Sequence, residues 1–142
     1  MSKYYLAYGS NLNIAQMAFR CPTAKRVGRT YIKDYELKYC GTRAGYLTIL
    51  PAANKEVPLG VWLIEDEDEK RLDMYEGYPT HYRKEIIPIT IKGEVHEAII
   101  YIMNCTTYKK PSDQYVKTCT RGYEDFEFDK SYLIRASLNQ ED

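Results

Sequence analysis

Two rhythms of apolar positions run along the chain. Lys3–Tyr8 is an apolar, aromatic run that stops at Gly9, and Gly9-Ser10-Asn11 reads as a turn. From there the spacing becomes helical. Ile14, Met17, Ala18 and Cys21 recur at three- and four-residue intervals until Pro22 ends the pattern. Asn13 is the expected N-cap, with Gln16 placed to complete a capping box. Arg26–Ile32 and Tyr35–Tyr39 read as two strands separated by a turn at Lys33-Asp34. Tyr46–Leu50 is a short strand ended by Pro51, and Leu59–Ile64 another, after a turn at Asn54–Glu56. A second helix covers Asp66–Tyr75, opened by an Asp66/Glu69 capping pattern and closed by Gly77 as its C′ glycine. Tyr82–Ile91 and Val95–Met103 form a hairpin about Lys92-Gly93. Pro88 puts the first of these strands on an edge or in a bulge. Ser112 caps a third helix, Asp113–Arg121, ended by Gly122. Asp129 caps a fourth, Lys130–Asn139.

Six or seven strands and four helices follow. Strands consecutive in sequence dominate the middle, so their neighbours are antiparallel. The class is α+β, with a curled or closed mixed sheet. No internal repeat, linker or low-complexity tract divides the chain. Its 142 residues suit one domain, 1–142, with a proper core.

Composition narrows the function classes. A formal net charge of zero lacks the basic face that nucleic acid or a membrane surface requires. No apolar run is long enough to span a bilayer, and the N-terminus has no signal-peptide pattern. Cys21, Cys40, Cys105 and Cys119 are widely spaced, with no C-x-x-C. Reduced thiols in a cytoplasmic protein are the simplest reading. The unusual total is 15 Tyr, a residue that suits a half-polar pocket as well as core edges. No H-E-x-x-H, cysteine cluster or acidic cluster with ligand spacing occurs, so neither metal nor cofactor is expected. A Cys105–His96 dyad has no supporting spacing.

Two features remain. A strand running into a helix at Gly9-Ser10-Asn11 leaves backbone N–H groups that could hold a carboxylate or an oxyanion, or could simply begin a capped helix. The second helix also carries a carboxylate on the wrong side. Leu72, Tyr75 and Glu76 stand at i, i+3 and i+4, while Asp68, Glu69, Lys70 and Arg71 supply the wet face. Glu76 therefore either points into a cleft or sits in a frayed last turn. Burial at a helix C-terminus would raise its pKa, as a general base near neutral pH requires.

The four stretches Y-L-A-Y-G-S-N-L (Tyr5–Leu12), L-D-M-Y-E-G-Y-P-T-H-Y-R (Leu72–Arg83), P-S-D-Q-Y (Pro111–Tyr115) and G-Y-E-D-F (Gly122–Phe126) resemble the γ-glutamylcyclotransferase-like superfamily over residues 4–138. The resemblance implies a small mixed, mostly antiparallel β-barrel flanked by helices. It implies an enzyme in which the α-amine of a γ-glutamyl group attacks its own γ-carbonyl, releasing 5-oxoproline and an amine or amino acid. By motif, Glu76 corresponds to the general acid/base. Tyr8, Gly9, Ser10, Asn11 and Leu12 correspond to the substrate-cradling loop, reached along Tyr5, Leu6 and Ala7. Tyr82 and Tyr115 correspond to pocket tyrosines, although either could serve only in packing. Arg83 and Tyr123 read as structural. The loop Y-G-S-N-L departs from the Y-G-S-L of the glutathione-specific branch, which disfavours glutathione. The shorter chain is nearer small bacterial members, including one that strips a γ-glutamyl protecting group in aminoglycoside biosynthesis. The partner expected is a small γ-glutamyl molecule. A non-catalytic binding domain, or another amide hydrolase or acyl transferase on the same pocket, are the competing readings.

Overall fold

In the computed structural model, which describes residues 1–138, the chain runs β1 (Lys3–Ala7), a single 3-10 turn (Ser10–Leu12), α1 (Ile14–Arg20), β2 (Lys25–Cys40), β3 (Tyr46–Ile64), α2 (Asp66–Glu76), β4 (Tyr82–Ile91), β5 (Glu94–Met103), α3 (Asp113–Asp125) and α4 (Ser131–Leu138). Asn139, the expected end of the last helix, lies outside the described residues. The strands form one sheet in the order β2-β3-β1-β5-β4. The first strand is thus central, antiparallel to β3 and parallel to β5. The fold is α+β, with the remaining strand pairs antiparallel.

Five strands replace the expected six or seven because two apparent turns are bulges inside continuous strands. Asp34 and Asn54 both have left-handed backbone, φ 66° and 67°. They meet across the β2–β3 ladder, where the Asn54 N–H donates to Asp34 Oδ1 at 3.1 Å. Asp34 faces the segment 52–55, and pairing resumes on both sides at Lys33–Glu56 and Tyr35–Pro51. A turn-forming residue here bends a strand instead of ending it. By contrast, Lys92 (φ 51°) and Gly93 (φ 82°) do make the expected hairpin turn. Pro88 lies on the edge strand β4, paired in regular register with Glu97.

The sheet curls but does not close into a barrel. β2 and β4 are its edges, and no ladder joins them among the described residues. Two side-chain bonds tie the start of β3 to β5 and β4 across the open side of the curl. The Met103 N–H donates to Thr48 Oγ1 at 2.9 Å, and the Tyr82 hydroxyl donates to the Leu47 carbonyl at 2.9 Å.

The helix boundaries move for physical reasons. Asn13 caps α1 by accepting from the Gln16 N–H at 3.0 Å, but the Gln16 side chain accepts from Arg20 and does not turn back. Met17 and Cys21 are buried, whereas Ile14 and Ala18 face outward. Glu65, one residue earlier than expected, precedes α2, and its N–H donates to Asp68 Oδ2 at 3.0 Å. Asp68 is therefore fully buried and not on the wet face. The Asp129 carboxylate accepts from the Ser131 N–H at 2.9 Å at the start of α4.

Gly122 does not end α3 but lies within it, where the helix crosses the turn after β1. A Cβ there would fall 2.7 Å from the Asn13 nitrogen and 2.8 Å from the Leu12 carbonyl carbon, both backbone atoms. Gly122→Ala is expected to lose roughly 1–3 kcal/mol by overpacking, read as a lowered Tm. Gly28→Ala, with nothing within 4 Å of its Cβ, serves as the control. Equal Tm values for both would contradict this close approach.

Candidate active site

The curl of the sheet and the end of α2 enclose a cleft holding about 310 Å³ of open space, mouth included. Its walls are Tyr5 and Leu6 of β1, the following Tyr8, Gly9, Ser10 and Asn11, Leu47 of β3, Glu76 of α2, Tyr82 of β4, Tyr101 of β5 and Tyr115 of α3. The carboxylate and the turn, 65 residues apart in sequence by the Ser10–Tyr75 bond beside them, share this one cavity. Ala7 and Leu12 do not line it. Both are buried behind it, and Leu12 packs where α3 and β3 approach the turn. Neither histidine and no cysteine reaches it. His96 packs on the Tyr4 ring, and Cys105 Sγ faces the Gly41 carbonyl, so the two form no dyad.

Glu76 is the last residue of α2. The helix does not fray there. Gly77 takes the left-handed conformation (φ 65°), and the Tyr78 N–H returns to the Asp73 carbonyl at 2.9 Å. With Leu72 fully buried, the same helix face carries Glu76 into the cleft. No hydrogen bond or ion pair reaches its carboxylate among the described residues. Burial raises its pKa to about 8, partly opposed by the Arg20 guanidinium.

The turn supplies donors, though not where the strand-to-helix junction suggests. The start of α1 is already occupied. Ile14 N–H donates to Asp125 Oδ2 at 2.9 Å and Gln16 N–H to Asn13. The 3-10 turn uses the N–H groups of Leu12 and Asn13, bonded to the Gly9 and Ser10 carbonyls at 3.0 Å. The N–H groups of Gly9, Ser10 and Asn11 take no acceptor among the described residues, and these are the residues that line the cleft. Buried N–H groups without partners suit an anionic oxygen.

Around them the tyrosines form a fixed frame. Tyr8 donates to the Tyr101 carbonyl at 2.5 Å, and Tyr123 donates to the Tyr8 carbonyl at 3.1 Å. Tyr5 accepts from Asn11 Nδ2 at 2.9 Å, and the Asn11 carbonyl accepts from Trp62 Nε1 at 3.0 Å. The Tyr115 hydroxyl accepts from the Leu47 N–H at 3.0 Å. Burial, with the Glu76 charge adding to it, pushes the phenols of Tyr5, Tyr8, Tyr82 and Tyr115 above their ordinary range. They remain O–H groups at any pH at which Glu76 titrates. Arg83 stays outside this frame, bonded to Glu85 and to the Met103 carbonyl.

Leu47 and Tyr101 are members of the wall that periodicity did not single out. Leu47 holds Tyr115 and Tyr82 through its backbone N–H and carbonyl, which no side-chain pattern reports. Tyr101 sits inside the uniformly apolar run Ala98–Met103, and its hydroxyl donates out of the cleft to Asp73 Oδ1 at 2.6 Å. Among the described residues no group of three or more His, Cys, Asp or Glu could hold a metal. No helix among them is long and apolar enough to cross a membrane.

A carboxylate with a raised pKa thus faces unpaired N–H groups across a tyrosine-lined cleft, on a curled sheet with one parallel strand pair. The family model described as gamma-glutamyl cyclotransferase, AIG2-like matches residues 5–122, and the chain belongs to that family. Solved structures agree on the fold. One described as a gamma-glutamyl cyclotransferase is 23% identical, with TM-score 0.79, covering 99% of this chain and 89% of that one. An uncharacterised protein from Homo sapiens is 25% identical, with TM-score 0.79, covering 99% and 88%. An AIG2-like protein from Mus musculus is 15% identical, with TM-score 0.57, covering 81% and 82%. No curated protein sequence matches the chain.

Proposed function

We propose that the chain cyclises the γ-glutamyl group of a small γ-glutamyl amine or γ-glutamyl amino acid, releasing 5-oxoproline and the free amine. The observation that carries this reading is Glu76, the one carboxylate among the described residues that lines the cleft, opposite Gly9–Asn11 and with its pKa raised by burial to about 8. Glu76 takes a proton from the substrate's α-ammonium. The freed amine attacks the γ-carbonyl, forming the ring C–N bond and placing negative charge on the carbonyl oxygen. The N–H groups of Gly9, Ser10 and Asn11 are the donors available to that oxygen or to the substrate carboxylate. The tetrahedral centre then expels the leaving nitrogen, which receives the first proton from Glu76. The freed carboxylate takes the second proton from the ring nitrogen and passes it to the departing amine, which leaves as an ammonium. No water is consumed and no enzyme nucleophile is needed. Holding the amine against its own carbonyl supplies several kcal/mol, up to about 7–11 in ideal cases.

A raised pKa favours this reading over passive binding. A carboxylate that only held the α-ammonium would serve best fully ionised at neutral pH. One near 8 is matched to an amine and can pass a proton in both directions. Tyr5, Leu6, Tyr8, Tyr82 and Tyr115 then serve as substrate contacts. Ala7 and Leu12 act through the backbone position of the turn. The four free thiols suit the cytoplasmic location we assign to the activity.

The test is a screen of γ-glutamyl amines and γ-glutamyl amino acids, followed by mass spectrometry for 5-oxoproline. Release from at least one of them, unaffected by a chelator, is the expected result. No release from any compound of either group would sink the assignment.

A further inference from the structure

A second set of contacts ties the turn to the end of α2 from outside the cleft. Arg20, the last residue of α1, lies with its guanidinium 3.5 Å from the centre of the Tyr75 ring. Its Nη1 donates to Asn11 Oδ1, and its Nη2 donates to Gln16 Oε1 at 3.1 Å. The Tyr75 hydroxyl shares a hydrogen bond with Ser10 Oγ at 2.8 Å. Asn11 passes the contact inward, donating from Nδ2 to the Tyr5 hydroxyl. One cation thus grips both the turn and the residue next to Glu76.

The groups facing Glu76 can be taken element by element. β1 and the turn offer Tyr5 and Tyr8, β4 offers Tyr82, α3 offers Tyr115, and its own helix offers Tyr75. All are phenols. α1 offers Arg20, the one charged group among the described residues that acts on the Glu76 carboxylate. Arg83 reaches only as far as Tyr8 and is engaged by Glu85. Among the described residues no carboxylate is paired with Arg20, whose guanidinium is satisfied by two amide oxygens and an aromatic face. Its charge is therefore not cancelled locally, and the cleft walls between it and Glu76 are buried.

We propose that Arg20 is a positioning residue for Glu76: it clamps Ser10–Asn11 to the C-terminal turn of α2 through Tyr75 and holds its positive charge at the back of the cleft. No ion pair joins Arg20 to Glu76 among the described residues, and such a pair would hold Glu76 permanently anionic and useless as a proton carrier. The clamp thus leaves the base tunable. This role rests on the cyclotransferase reading for its use in catalysis, but the electrostatic effect can be measured without any substrate.

The experiment is a carboxyl carbon-13 NMR titration of Glu76, its resonance assigned by its loss in Glu76→Gln. Arg20→Gln keeps an amide donor for Asn11 and removes the charge. Its Glu76 midpoint is expected about one pH unit above that of the native protein. Arg20→Lys keeps the charge and is expected to stay within a few tenths of a unit of native. Tyr75→Leu, which releases the guanidinium from its shelf, is expected to shift the midpoint upward by a smaller amount, and it stands in if Arg20→Gln does not fold. An unchanged midpoint in Arg20→Gln, or in Tyr75→Leu as its substitute, overturns the inference whatever the activity assay shows. With a substrate in hand, the Arg20→Gln defect in kcat/KM is expected to shrink as pH rises from 7 to 9. A merely structural role would give the same fold-loss throughout. A shifted midpoint in a protein that releases no 5-oxoproline would overturn the reaction and leave the role of Arg20 standing.

Discussion

Glu76→Gln is expected to lower kcat by roughly 10²–10⁴-fold, the range for loss of a positioned acid/base, with KM changed by only a few-fold. The amide keeps the size and polarity of the side chain, so the cleft that Gly9–Asn11 and the tyrosines build stays in place. The missing capacity is proton exchange, used both to free the α-amine and to protonate the leaving nitrogen. The surrounding phenols cannot replace it, because burial keeps them protonated. No histidine or cysteine lines the cleft. The measurement is initial-rate release of 5-oxoproline from the best substrate of the screen. Turnover within about three-fold of native would exclude Glu76 as the base.

The second large effect is on stability and has the opposite sign. Glu76 has an ordinary pKa of 4.5 and a folded value of about 8. Between these values the folded chain holds a proton that the unfolded chain has released. Folding stability from this group is therefore fully present below about pH 4.5 and lost as pH rises through about 8. Glu76→Gln removes that loss. The variant and the native protein are expected to melt together at pH 4. At pH 9 the variant should be more stable by on the order of 1–3 kcal/mol, allowing for partial exposure of the side chain. Thermal unfolding of both proteins at the two pH values checks this. Comparing the pair also cancels carboxylates whose pKa moves down, such as Glu69, held between Lys3 and Lys84. A Tm difference that does not grow with pH would show that Glu76 is not destabilised by burial. The same group is thus expected to be worst for stability where it is best for activity, as strained functional groups often are.

Local chemistry in the sequence was sufficient wherever a residue acts within a few positions of itself. Asn13, Gly77, Ser112 and Lys92-Gly93 do what their types require, since caps and tight turns are closed by neighbours. Glu76 was visible because helical spacing placed it beside Leu72. It failed where a distant partner decides the outcome. Asp34 and Asn54 each look like turn residues, and only their meeting across the ladder makes them bulges. Gly122 looks like a helix end, but its missing side chain serves the close approach of Leu12 and Asn13. Tyr101 and Arg20 carry no local signal at all. Their places by the cleft come from contacts with Asp73, Tyr8, Asn11 and Tyr75 on other elements. The open sheet was equally illegible, because strand count and alternation do not say whether two edges meet.

The central position of β1 bears on how the site comes into being during synthesis. β1 is parallel to β5, and the Tyr8 hydroxyl finds its acceptor only at Tyr101, 93 residues later. Tyr115 and Tyr123, which close the wall and hold the turn, come later still. Contacts of such span form late, after the long loop between them has been closed. A ribosome-bound chain that has emerged only through α2 already possesses both Glu76 and the Gly9–Asn11 turn, yet has no cleft for them to share. Until β5 and α3 are added the cleft has no closed wall, and β1 has its β5-facing edge unpaired.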